Sequence, residues 1–86
     1  MLIQLTYASR CSHALGPADI KDILGASQRN NARLGVTGAL CLNNGIFLQQ
    51  LEGDRTVVNA LYHRILKDTR HRDTAILDLA EITHRQ

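Results

Sequence analysis

Aromatic side chains are scarce in this chain: tryptophan is absent, and Tyr7, Phe47 and Tyr62 are the whole aromatic complement, 3% of residues. Small cores usually lean on aromatics, because each buries a large apolar area. Their shortage leaves the interior open to some other filling. It also argues against an RNA-binding sheet of the RRM type, which needs exposed aromatics on its central strands. Cysteine occurs twice, at Cys11 and Cys41, without a C-x-x-C pair, so neither a zinc ribbon nor a thioredoxin motif is indicated. Two reduced thiols suit a cytosolic protein, and a single disulfide is the minor alternative. No apolar run approaches the ~20 residues that a membrane span requires. The N-terminus opens directly on a strand-like segment with no signal peptide, so the expected location is cytoplasmic. A one-signed charge excess is missing too: the net charge is +2, and only Arg64 to Arg72 forms a basic cluster. That excludes a typical nucleic-acid binder, whose Lys and Arg gather on one face. The cluster is read as complementing the C-terminal end of a helix dipole, which is compatible with a phosphate lying nearby. His13, His63, His71 and His84 fit no usual ligand spacing, so no metal site is expected.

What is present is one domain's worth of patterned sequence. The 86 residues, 44% of them hydrophobic, are expected to form a single domain over 1–86. A chain of that length buries only about 60–65% of its unfolded surface. Residues 2–9 alternate Ile3, Leu5 and Tyr7 against Gln4, Thr6 and Ala8, the period of a half-buried strand. A loop covers 10–16. Pro17 suits the first position of a helix and Asp19 its first turn, and the helix is expected to run to about residue 32. Val36 to Leu42 and Ile46 to Glu52 read as strands joined by the tight turn Asn43-Asn44-Gly45. Asp54 is the expected N-cap of a second helix ending near Asp68, and residues 74–83 read as a fourth strand after a charged turn over 69–73. The order β-α-β-β-α-β predicts an α+β, ferredoxin-like fold, with a mixed sheet and two helices on one face.

The informative residues break these patterns. Tyr7 faces the way of Ile3 and Leu5, and Gln49 shares a face with Phe47 and Leu51. Asn31 ends a helical stripe of Ile20, Leu24 and Ser27, while Arg64 and Asp68 continue one begun by Val57 and Leu61. Tyr7, Gln49, Asn31, Arg64 and Asp68 are therefore all expected between sheet and helices. Each would cost a few kcal/mol if buried without a partner. They can satisfy one another, with Arg64 and Asp68 as an ion pair, Asn31 as a cap and Gln49 bonded to Tyr7. A planar ligand edged with donors and acceptors would satisfy all five at once, and its rings would replace the missing aromatics.

Four segments then carry a resemblance: Leu5-Thr-Tyr7-Ala-Ser9, Asn31-Ala-Arg-Leu-Gly35-Val-Thr-Gly38, Phe47-Leu-Gln49-Gln-Leu-Glu52-Gly53 and Asp68-Thr-Arg70-His71. In order and spacing they resemble the signature segments of the BLUF family (blue light using FAD). The resemblance implies a photosensory switch with no enzymatic activity of its own. It also implies a non-covalent FAD, with FMN or riboflavin as substitutes, held between the two helices. By position, Tyr7 corresponds to the family's photoactive tyrosine, Gln49 to its switch glutamine and Asn31 to the asparagine that bonds the flavin's pyrimidine ring. Asn30, Arg64, Asp68 and Arg70 are further expected flavin contacts, and Ser9 and Ser27 minor ones. Gln50 points to the opposite face and receives no role. The family usually continues into a fifth strand bearing Trp or Met, which is missing here. Implied partners are the flavin, a second copy of the chain or a downstream effector, with no nucleic acid or membrane. Two alternatives are a small enzyme of the acylphosphatase type, which needs a glycine-rich anion loop, and a flavin-free interaction module of the same fold.

Overall fold

In a computed structural model, residues 1–11, 17–68 and 71–84 are described. Their elements run β1 (Leu2–Cys11), α1 (Pro17–Leu34), β2 (Thr37–Asn43), β3 (Ile46–Asp54), α2 (Arg55–Leu66) and β4 (His71–Ile82). The order is the β-α-β-β-α-β expected of a ferredoxin-like fold. Helix α1 extends two residues past its expected end, and β4 starts three residues early. The expected charged turn over 69–73 thus lends His71, Arg72 and Asp73 to the strand.

The strands form one sheet in the order β2-β3-β1-β4. Each hydrogen-bonded pair is antiparallel. Strand directions agree only between non-neighbours, β1 with β2 and β3 with β4. Helix α1 lies over β2, and α2 lies over β3, β1 and β4. Along β1 the burial alternates strictly from Leu2 to Ser9, so Ile3, Leu5, Tyr7 and Ser9 face the helices. On β3, Phe47, Gln49 and Leu51 do the same, and Gln50 is exposed. The core joins Ile3, Leu5, Val36 and Leu51 to Val58, Leu61 and Tyr62 of α2.

Three local devices fix this arrangement. Asn44 and Gly45 take φ values of 53° and 77°, so the β2–β3 hairpin turns through a left-handed pair that Asn and Gly tolerate. Asp54 is the N-cap of α2, its carboxylate accepting from the Thr56 N–H at 3.2 Å. At Gly38 a Cβ would stand 1.9 Å from the Gln50 carbonyl oxygen, so only glycine lets β2 lie this close to β3.

The helical stripes need correction. On α1 the inward residue is Ile23, 5% exposed, whereas Leu24 is 38% exposed. On α2 the stripe centres on Val58, Leu61 and Tyr62, and Val57 is only half-buried. Helical spacing defines a band wider than 100°, and the placement of the helix on the sheet decides which edge is pressed down.

Candidate functional site

A cleft of about 140 Å³ opens between sheet and helices, with Tyr7, Gln49 and Leu40 from the sheet as its floor. Helix α1 contributes Ile23, Ala26, Ser27, Asn30 and Asn31. Leu61, Arg64 and Ile65 of α2 close the other side, together with Asp68 just beyond its end. The arrangement follows from register. Tyr7 and Gln49 stand directly opposite each other in the β1–β3 pairing, and Leu40 stands opposite Gln49 across β2–β3. A one-residue slip of β3 would put Gln50 in the cleft instead.

The expected residues reach this cleft in different ways. Tyr7 and Gln49 are buried, at 1% and 5% exposure. Asn30, Asn31, Ser27 and Asp68 are half-buried. Arg64 is exposed overall yet still lines the wall. Ser9 is buried on the same face of β1 but does not line the cleft. Arg70, and residues 12–16 of the expected 10–16 loop, lie outside the described residues. The sequence reading missed the apolar lining, Ile23, Leu40 and Ile65. Hydropathy marks these as core residues and does not show that they flank a cavity.

The Tyr7 hydroxyl donates to Gln49 Oε1. That bond leaves the amide's NH₂ to serve a second partner. Burial pushes the Tyr7 phenol well above its ordinary pKa, and the neighbouring Tyr62 and Asp68 push it further in the same direction. Tyr7 therefore stays neutral and protonated through the physiological range. Behind it, the ring of Tyr62 meets it edge-on, with centroids 5.5 Å apart and an interplanar angle of 61°. Among the described residues no buried side-chain polar atom lacks a partner. Amides, a guanidinium, a carboxylate and a hydroxyl thus rim an apolar slot. That set suits a flat heterocycle with polar edges, and flavin answers the description.

Comparison with known proteins gives the same direction. The description of the family of sensors of blue-light using FAD matches residues 2–86. The beta subunit of a photoactivated adenylate cyclase from Euglena longa is 37% identical over 84 residues, which is 98% of this chain and 10% of that protein. The dark-state structure of BlrB, a BLUF protein, superposes with a TM-score of 0.91 at 43% identity, covering 98% of this chain and 64% of BlrB. BlrP1 of Klebsiella pneumoniae, solved with FMN and cyclic diGMP, gives a TM-score of 0.90 at 33% identity over 99% of this chain and 23% of its own. This chain therefore spans about a tenth of the cyclase subunit and under two thirds of BlrB. With the phenol–amide pair on the floor of that cleft and the family match spanning residues 2–86, the chain belongs to the BLUF family of blue-light photoreceptors.

Proposed function

We propose that residues 1–86 form one sensor domain that holds FAD non-covalently in the cleft between α1 and α2 and converts blue light into a new hydrogen-bond pattern at Gln49. FMN or riboflavin presents the same ring and would serve as a substitute. BlrP1, solved with FMN, supports that latitude. Asn31 and Asn30 on α1, and Arg64 and Asp68 at the end of α2, would bond the polar edges of the ring. Ser27 would add a minor contact, and Arg70 remains a further candidate.

A flavin bound there supplies the absorption of blue light and a one-electron acceptor. Tyr7 supplies the electron and, at the same moment, releases its phenolic proton toward Gln49 Oε1. Gln49 accepts through its oxygen and donates through its nitrogen, so it relays the change to the ring edge. When electron and proton return to Tyr7, the amide is left rotated or tautomerised. The outcome is a changed bond network and no chemical product, so the domain is a switch and not an enzyme. Catalysis in light-regulated cyclases then belongs to other parts of those proteins. Here we infer an effector domain, a partner protein or a second copy of the chain as the receiver. Among the described residues no helix is long and apolar enough to cross a membrane. The free thiols of Cys11 and Cys41 suit a reducing compartment such as the cytoplasm.

The observation that carries this reading is the Tyr7–Gln49 hydrogen bond on the cleft floor. Purified protein is expected to be yellow, to release flavin on denaturation and to shift its absorption reversibly under blue light. Gln49→Leu keeps the bulk and removes both hydrogen-bonding groups. It is expected to bind flavin and lose the shift. A full reversible shift in that variant would rule out the proposed switch.

A further inference from the structure

Tyr62 is the second buried phenol of the chain, and the switch described above does not use it. It lines a different cavity from Tyr7. That second groove, about 320 Å³, lies between α2 and β4, with Ile3, Leu5, Ile76 and Leu79 as its apolar wall. The polar groups on it are Arg55, Asn59 and Glu81. The two cavities share no lining residue. The edge-on contact of Tyr7 with Tyr62 is thus a wall one ring pair thick between cleft and groove.

The two hydroxyls differ in where a proton can go. Tyr7 is sealed, and its hydroxyl meets the Gln49 amide oxygen, a weak base. Tyr62 is 8% exposed. Its hydroxyl makes no hydrogen bond among the described residues, and none of their buried side-chain polar atoms is unpartnered. The hydroxyl therefore reaches the water of the groove. Burial holds the Tyr62 phenol above its ordinary pKa, so it is neutral before any oxidation.

We propose that Tyr62 is an auxiliary electron donor that acts through Tyr7 and opens a route by which the light-driven oxidation escapes to solvent. The inference rests on the flavin reading. Tyr7 first gives one electron to the bound flavin and its proton to the Gln49 side. Tyr62 then gives one electron to the oxidised Tyr7 and its phenolic proton to groove water, and Tyr7 takes back its own proton. The net result is one electron moved from Tyr62 to the flavin and one proton released. A soluble reductant such as ascorbate then restores Tyr62 by donating one hydrogen atom at the groove. Return of the electron straight to Tyr7 completes the ordinary switch; passage through Tyr62 is the competing exit.

Tyr62→Phe keeps the ring contact and removes the oxidisable hydroxyl, so a role in packing alone predicts no change. The flavin-loaded full chain is illuminated without oxygen in the presence of ascorbate, and loss of flavin absorbance is followed. Tyr62→Phe is expected to keep the reversible spectral shift and to slow the bleaching at least fivefold. Tyr62→Trp, which restores an oxidisable ring, is expected to recover it, and Tyr7→Phe to slow bleaching as Tyr62→Phe does. In parallel, tetranitromethane applied to the flavin-free chain is expected to nitrate Tyr62 and spare Tyr7 on peptide mapping. Equal bleaching in wild type and Tyr62→Phe, or a Tyr62 protected from nitration, overturns the proposal while leaving the switch intact. Fast Tyr62-dependent bleaching that survives Tyr7→Phe also overturns it, because Tyr62 would then act without Tyr7. A wild-type chain that binds no flavin would instead count against the reading on which the proposal rests.

Discussion

At the scale of single residues, Tyr7 ties stability to pH. Its pKa is raised in the fold, mainly by burial, so the folded state keeps a proton that the unfolded chain loses near pH 10. Above that pH the unfolded state binds fewer protons, and stability falls as pH rises toward the folded pKa. Below it, the contribution is fully present. The expected slope from Tyr7 is about 1.4 kcal/mol per pH unit. Urea midpoints measured between about pH 9 and pH 11.5 check it, and Tyr7→Phe is expected to flatten the decline. Gln49 differs in kind, since it has no titration and its importance lies in offering both a donor and an acceptor. On the other face, Gln4 Nε2 donates to Glu52 Oε1 at 2.8 Å, bridging β1 and β3 where the helices do not cover them.

At the scale of elements, three short features hold the site in register. Asp54→Ala removes the α2 cap and is expected to cost about 1 kcal/mol, read as a lower urea midpoint with an unchanged denaturant slope. The ion pair of Asp54 with the N-terminus at 3.6 Å is half exposed and adds little. Gly38→Ala is the sharper test. A methyl there meets backbone, not a flexible side chain, so β2 and β3 must part. The expected cost is at least about 1–3 kcal/mol, with weakened flavin retention, because Leu40 and Gln49 sit on the strands that separate. Flavin released on gel filtration measures the second effect. Strand β4 shows the opposite tendency. It is an edge strand, and its Ile76, Leu77 and Leu79 are 47%, 60% and 56% exposed. Long edges with exposed aliphatics pair with other chains. Concentration-dependent self-association is expected by light scattering, and Leu77→Lys is expected to reduce it.

At the scale of the whole molecule, a small domain carries a cleft where a larger core would otherwise lie. The cleft takes interior space between α1 and α2. A ligand that binds only the folded state adds stability by mass action, about 2.7 kcal/mol at a hundred times its Kd. For a chain of this size that corresponds to roughly 10–20 °C in Tm. The flavin-loaded protein is therefore expected to melt well above the flavin-free one. Equal melting temperatures at saturating flavin would show that the ligand is not held by the fold.

The sequence by itself determined the elements, their order and which side of β1 and of β3 is buried. Alternation along β1 and β3 placed Tyr7 and Gln49 on one face and sent Gln50 to the other, because strand parity is a local property. The turn at Asn44 and Gly45 and the cap at Asp54 were equally legible, since each depends on the backbone preferences of one or two residues. Tertiary structure decided the rest. Only the β1–β3 register sets Tyr7 directly opposite Gln49. Only the seating of the helices presses down Ile23 in place of Leu24, and leaves Arg64 at the rim and not inside. The contact of Tyr7 with Tyr62 was beyond sequence reading altogether. Periodicity tells which side of an element is apolar. Which apolar residue of α2 meets which residue of β1 depends on how the helix lies across the sheet, and residues distant in the chain fix that jointly.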